Sequence, residues 1–209
     1  MSLSKGGQLL MCAILALLAT QAEAAKSISL QPYVTGVGND TDFNGKWDQS
    51  DPGCCLAYNG LPSNYNYRSA IEFDLQSLPS TSIVQSATLI IEYNGASVGP
   101  ENTLQFNGYV GNGAIDLSDY EQINQIGPLL NSFGPGDGTL FYKIPYGPFV
   151  QSILDVGDRF VGVMIQNTIL NQTHLTNPRL AITYVPEPTT LALAGLALAA
   201  TLFRRCRLH

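Results

Sequence analysis

The chain has 209 residues and a formal net charge of −6, and only 12% of its residues are charged. Residues 25–185 contain six Lys or Arg residues and fourteen Asp or Glu residues, so this stretch carries a net charge of −8. It offers no basic patch, which argues against nucleic-acid binding, because nucleic-acid-binding domains neutralise phosphates with Lys and Arg. An acidic surface instead favours cations, or neutral ligands held by hydrogen bonds and stacking.

The N-terminus has the three parts of a secretory signal peptide. Lys5 supplies positive charge, and residues 9–19 (LLMCAILALLA) form an apolar run too short to span a bilayer comfortably. Ala22 and Ala24 fit an A-x-A cleavage site. The sequence therefore predicts a signal peptide at residues 1–24 and export of the domain that follows.

An acidic stretch near the start of that domain has the spacing of a twelve-residue calcium loop. Positions one, three, five, seven, nine and twelve are Asp40, Asp42, Asn44, Lys46, Asp48 and Asp51. In such loops carboxylate and amide oxygens and one backbone carbonyl, here that of Lys46, converge on the ion, and Gly45 stands at the position of the sharp turn. The pattern resembles the calcium loops of dockerins, which end in Asp.

The same stretch predicts Ca²⁺ as the cofactor, with a solvated acidic loop as the alternative. Asp, Asn and Gly are common in loops that bind nothing. Pro52 follows at once, so the flanking helix of a complete helix–loop–helix is absent.

Cys54 and Cys55 are the two cysteines that remain between the predicted processing segments. Adjacent cysteines bond to each other only through a strained ring, so reduced thiols and bridges to a second chain are the other possibilities.

Aromatic residues interleave with asparagines around the first long strand. Trp47, Tyr65 and Tyr67 are candidates for a sugar-binding face, because flat rings stack on a pyranose while amides bond its hydroxyls. The alternative is that these rings pack as ordinary core or loop anchors.

Seven segments have the alternation or apolar runs of β-strands, and each is bounded by Gly, Asn, Pro or Ser. They are residues 27–35, 69–75, 87–93, 104–110, 140–144, 160–165 and 179–185. Short helices are predicted at 118–126, where Ser118 and Glu121 have capping-box spacing, and at 149–154 after Pro148. The pattern predicts an all-β fold, a jelly-roll-like β-sandwich with one or two short helices.

The sequence carries little that indicates catalysis. His174 is the only histidine of residues 25–185, and neither a Gly-x-Ser-x-Gly nor a His-Glu-x-x-His motif occurs. Glu72 and Asp74 lie two apart on one predicted strand and share a face, whereas a glycosidase needs carboxylates on both sides of a sugar. Asp74 is instead expected to cap a turn or to pair with Arg68. A non-enzymatic protein is predicted.

Two segments of the domain resemble DNRLRE-type domains, the disaggregatase-related β-sandwiches of secreted bacterial proteins. The first comprises residues 68–75 (RSAIEFDL) and 83–90 (IVQSATLI), and the second comprises 148–154 (PFVQSIL) and 160–165 (FVGVMI). The resemblance covers about residues 27–184. It implies a jelly-roll-like sandwich and glycan contact, since some of these domains are carbohydrate-binding modules, and it implies no catalysis.

The C-terminus combines a Pro-Glu-Pro triplet, the apolar run 191–203 (LALAGLALAATLF) and a basic cluster. The motif residues are Pro186, Glu187, Pro188, Arg204 and Arg205. In this order they resemble the PEP-CTERM sorting signal, which exosortase-type membrane proteases recognise. The arginines would keep the helix end cytoplasmic and leave the domain outside. The alternative is an ordinary C-terminal membrane anchor.

These observations predict a signal peptide (1–24), a β-sandwich domain (25–185) and a sorting tail with a short transmembrane helix (186–209). The predicted function is that of an exported, calcium-stabilised protein of the cell surface or exopolysaccharide matrix, processed by an exosortase-type protease. A carbohydrate-binding module that captures a matrix polysaccharide is the first alternative, and a polysaccharide-processing enzyme is the second.

Overall fold

Short extended segments separated by turns account for most of the structure. The computed structural model describes residues 24–40, 42, 46–52, 66–94, 102–125, 130–132, 139–167 and 175–186. The strands are Lys26–Leu30 (β1), Val34–Asp40 (β2), Gln49–Pro52 (β3), Asn66–Asp74 (β4), Ile83–Asn94 (β5), Asn102–Gly111 (β6), Leu130–Ser132 (β7), Thr139–Pro145 (β8), Phe160–Asn167 (β9) and Leu175–Val185 (β10). A 3₁₀ helix spans Leu117–Glu121, and an α-helix, α1, spans Gly147–Val156.

The described strands form two sheets. One has four strands in the order β1-β10-β5-β8, and the other has six in the order β3-β2-β4-β9-β6-β7. Within the six-stranded sheet, β2, β4, β9 and β6 pair antiparallel with their neighbours. The predicted all-β class is confirmed, and the finer jelly-roll description stays a prediction.

Apolar side chains from both sheets and from α1 form the main core. On β4 the alternation places Ile71 and Phe73 on the inner face, where both are fully buried. Other members of this cluster are Leu89 and Ile91 of β5, Phe106 of β6, Val150 and Ile153 of α1, Val163 of β9, and Ile182 of β10. Each such side chain contributes about 1.5–3 kcal/mol by leaving water, so this core supplies the main driving force for folding.

All seven predicted strands are confirmed, with one division. The predicted strand 27–35 is split into β1 and β2 around Gln31 and Pro32. Proline has no N–H to donate to a ladder, which explains the interruption. The sequence did not predict β3 and β7, because QSDP and LNS are too short to show alternation.

The predicted helices have different outcomes. Residues 149–154 lie within α1, and Pro148 occupies its first turn as expected. The helix predicted at 118–126 is instead the shorter 3₁₀ helix, and its capping box uses Asp116 and Asp119. The predicted capping box of Ser118 and Glu121 is therefore wrong, because the observed box lies two residues earlier in the chain.

A segment of residues 112–125, which we call the covering segment, packs on the outer face of the six-stranded sheet. Ile115 and Tyr120 form a second, small core with Trp47 and Ala70. A Cβ atom at Gly38 of β2 would lie 2.6 Å from the Tyr120 ring, so only glycine permits this approach. Both faces of this sheet are therefore buried.

Residues Ser27–Tyr184 form one compact unit. In the part of the chain that the structure describes, no helix is both long and apolar enough to cross a bilayer. The predicted signal peptide up to residue 23 and the predicted membrane helix at 191–203 lie outside the described residues, as do Cys54, Cys55 and His174.

Candidate metal site and the buried polar face

The predicted calcium loop is the tip of a β-hairpin. Strands β2 and β3 pair antiparallel, with Asn39 opposite Gln49, and the Asp48 N–H donates to the Asn39 carbonyl oxygen at 3.0 Å. Asp40 ends β2 and Asp48 immediately precedes β3, so the ladder brings the two ends of the tip together.

Three of the predicted ligands converge at this tip. Asp40, Asp42 and Asp48 each offer a carboxylate oxygen, and these atoms all lie within 4.8 Å of one another. Asp40 is buried, whereas Asp42 and Asp48 are exposed. An all-oxygen set of this kind suits a hard cation, with carbonyls or water completing the shell.

The other predicted ligands have different positions. Asp51 lies within β3, opposite Val37, and is not a member of the three-carboxylate group. Lys46 is exposed at the hairpin tip, and Asn44 lies outside the described residues. The described residues thus bring three of the six predicted ligands together, and the predicted roles of Asn44 and of the Lys46 carbonyl stay predictions.

Trp47 is a packing residue in this structure. It is only 6% exposed, its ring centroid lies 5.8 Å from that of Tyr120, and the Arg68 guanidinium carbon lies 4.7 Å from its centroid. Burial favours the packing alternative for this ring. Tyr67 is half-buried on β4, and Tyr65 lies outside the described residues, so their glycan contact stays a prediction.

Arg68 links the hairpin to the covering segment. Its guanidinium contacts Trp47, and its Nη1 donates to the Tyr120 carbonyl oxygen. Burial lowers the pKa of Arg68, while the charges of Asp40 and Glu121 act in the opposite direction. No local sequence pattern indicates this role of Arg68.

A second polar cluster lies beneath the covering segment. Glu72 of β4 is fully buried and accepts hydrogen bonds from the backbone N–H groups of Gly113 (2.6 Å) and Asn112 (3.3 Å). Burial raises the pKa of Glu72 to about 7, against the opposing effect of these hydrogen bonds. Burial also raises the pKa of the capping residue Asp119 to about 6. This face can therefore hold protons near neutral pH.

Asp74 was expected to cap a turn or to pair with Arg68. It accepts a hydrogen bond from the Gln76 N–H at 2.8 Å, which confirms the turn. Its ionic partner is Arg159 rather than Arg68: Nε and Nη2 of Arg159 donate to the two carboxylate oxygens at 2.9 and 2.6 Å. These hydrogen bonds lower the pKa of Asp74.

Comparisons with known proteins concern mainly the tail. Residues 185–207 match the PEP-CTERM protein-sorting motif. No curated protein gives a significant match to the sequence. The resemblance of residues 27–184 to DNRLRE-type domains stays a prediction.

Among solved structures, the chain is similar to a rhamnosidase from Klebsiella oxytoca with rhamnose bound. The TM-score is 0.38 and the sequence identity 9%, over 84% of this chain and 32% of that one. The chain thus spans about a third of that protein's length. The sorting motif remains the informative match: it indicates an exported protein that is anchored transiently in the membrane and processed by an exosortase-type protease.

Proposed function

We propose that this protein is a non-enzymatic component of the cell surface or extracellular matrix whose β2–β3 hairpin binds Ca²⁺. The observation that carries the proposal is the convergence of the Asp40, Asp42 and Asp48 carboxylates within 4.8 Å. The sorting motif at residues 185–207 supports an extracellular setting for this hairpin.

Charge and geometry both favour calcium. Close carboxylates repel one another, and a bound dication replaces that repulsion with attraction. Ca²⁺ accepts six to eight oxygens in flexible arrangements, which suits two exposed carboxylates on a hairpin tip, whereas Mg²⁺ demands near-ideal octahedral geometry. Extracellular calcium sites are commonly weak, with Kd values of about 10⁻⁴–10⁻³ M.

Thermal unfolding of the full-length chain in mild detergent tests the proposal. An ion that binds only the folded hairpin stabilises the protein by an amount that grows with its free concentration, about 2.7 kcal/mol at a hundredfold excess over Kd. We expect Tm to rise between chelator and about 10 mM Ca²⁺, and to rise less with Mg²⁺.

Matched variants identify the site. Asp42→Ala should abolish the calcium-dependent rise in Tm, because it removes one of the three carboxylates. Asp155→Ala, which removes an exposed carboxylate of α1, should leave the rise intact. An identical Tm in chelator and in calcium would show that the acidic cluster is merely solvated.

A further inference from the structure

A row of three side chains in contact lies at the other end of β2 from the carboxylates, and the planes of its two aromatic rings are tilted by 49°. Tyr33 immediately precedes β2, and its ring centroid lies 5.1 Å from that of Phe160. The guanidinium carbon of Arg159 lies 4.9 Å from the centre of the Phe160 ring. Tyr33 is 57% exposed and the Arg159 side chain 48% exposed, so the row is open to solvent. The seven residues of β2 separate it from the hairpin tip by about 23 Å.

Backbone and side-chain contacts hold this row in place. The Tyr33 N–H donates to the Glu72 carbonyl oxygen at 2.7 Å. The Phe160 ring packs against Gly113, which has a φ of 88°, a backbone conformation that residues other than glycine rarely adopt. Arg159 is fixed by its two hydrogen bonds to Asp74. Because these side chains are already held in place, ligand binding here costs little conformational entropy of the protein.

Arg159 also lines a cleft of about 350 Å³, which makes the cleft and the aromatic row one continuous surface. The cleft walls are the nearly buried side chains of Leu75, Leu78 and Leu154. Its rim is formed by Gln76, Ser80, Gly157, Asp158 and Arg159. An open cleft of this size, with an apolar floor and a polar rim, can accept one face of a small ligand.

The charges around this surface select the class of ligand. The positive charge of Arg159 is compensated by Asp74, and Asp158 stands beside it on the rim. An anion would meet these carboxylates, and a cation would meet the guanidinium. The surface thus favours a neutral ligand that has an apolar ring face and several hydroxyl groups.

We propose that Tyr33, Phe160, Arg159 and the adjoining cleft form a binding site for a neutral carbohydrate. A pyranose ring stacks on the exposed face of Tyr33. Its hydroxyls bond to the Asp74 carboxylate and to Nη1 of Arg159, which the hydrogen bonds to Asp74 leave available. This site uses none of the three hairpin carboxylates and goes beyond the proposed role of calcium.

A protein partner fits the same surface less well. Stable protein interfaces bury about 800 Å² on each partner around a continuous apolar centre. The other exposed large apolar residues of the described chain are distributed over four elements: Ile83 on β5, Val110 on β6, Leu117 and Ile123 on the covering segment, and Val156 on α1. One exposed aromatic ring with a charged pair beside it matches a single sugar ring instead.

The test is binding of the full-length chain in mild detergent to an array of neutral hexose and deoxyhexose oligosaccharides, with uronic-acid oligosaccharides on the same array. Buffer with chelator removes any contribution of calcium, so a negative result for the metal site does not affect this one. We expect binding to neutral oligosaccharides, and titration of the best of them should give Kd.

Variants then locate the site. Tyr33→Ala should weaken binding about tenfold, the loss expected for one ring-stacking contact, while Tyr33→Phe should retain most of it. Arg159→Lys keeps the charge but loses the bidentate geometry and should also weaken binding. Ile123→Ala, at a residue 83% exposed on the covering segment, is the matched control and should bind normally. Binding confined to uronic acids, no binding to neutral sugars, or unchanged binding by a folded Tyr33→Ala variant would each overturn the proposal.

Discussion

The two faces of the six-stranded sheet are both buried, but different interactions stabilise them. The inner face presents Ile71, Phe73 and their neighbours to the main core. On the outer face, the same strand, β4, presents Arg68 and Glu72, which the covering segment shields from water. The comparison shows that burial alone does not define a core. Apolar packing dominates on the inner face, whereas the outer face combines a small apolar core with buried polar groups whose hydrogen bonds and protonation also affect stability.

The largest loss in the free energy of unfolding is expected from a substitution on the inner face. Phe73→Ala removes a fully buried ring between the sheets and should lower the free energy of unfolding by about 3–5 kcal/mol. Urea unfolding at pH 5 and at pH 8 should show the same loss, because no ionisable group is removed. A loss that changes strongly with pH would mean that the two faces are not energetically separate.

A smaller effect with a distinct pH dependence is expected on the outer face. Folding raises the pKa of Glu72 from 4.5 to about 7, so the folded state favours the protonated form. The contribution of this protonation to the free energy of unfolding is fully present below pH 4.5 and is lost as pH rises through about 7. At pH 8 the wild-type carboxylate therefore destabilises the fold, by about 3 kcal/mol.

The variant Glu72→Gln carries a neutral group of similar shape and tests this effect. In urea unfolding it should lack most of the fall in stability that the wild type shows between pH 4.5 and pH 8. This change comes on top of a pH-independent loss, because the glutamine NH2 group cannot accept one of the two backbone N–H groups that the carboxylate accepts. Asp119, whose pKa is raised to about 6, should still contribute a weaker loss of the same sign. Asp155→Asn, an exposed carboxylate on α1, is the control and should keep the wild-type profile. If Glu72→Gln also kept the wild-type dependence of stability on pH, the assignment of this dependence to Glu72 would be wrong.

The smallest effect concerns the attachment of the covering segment. The hydroxyl groups of Ser50 on β3 and Tyr120 lie 3.1 Å apart. Ser50→Ala and Tyr120→Phe each remove this hydrogen bond and should each lower the free energy of unfolding by about 1 kcal/mol. The double variant should cost little more than either single one, because both remove the same interaction. Fully additive losses would show that the hydroxyls stabilise the fold independently.

Local patterns in the sequence predicted the fold class well. Alternation in residues 69–75 and 104–110 identified β4 and β6, since strand periodicity depends on local sequence. Capping was less certain, because Asp116 with Asp119 and Ser118 with Glu121 have the same spacing. In the structure, Asp116 and Asp119 form the capping box.

The candidate sites depended more on tertiary contacts. The acidic spacing correctly grouped Asp40, Asp42 and Asp48, but the pairing of β2 with β3 places Asp51 outside their cluster. The alternation on β4 would leave Glu72 facing solvent, and a distant segment buries it instead. The ring contact between Tyr33 and Phe160 joins residues far apart in sequence, and no local pattern could indicate it.

The position of β10 has a consequence for the order of assembly. This strand is the last of the described strands, yet it lies inside the four-stranded sheet, between β1 from the start of the domain and β5. Contacts between distant parts of a chain form slowly, because the intervening loop must close first. The first and last strands can meet only after the whole domain has emerged from the export channel. Because β10 ends at Val185, where the sorting motif begins, the strand that completes this sheet is also the segment joined directly to the sorting motif.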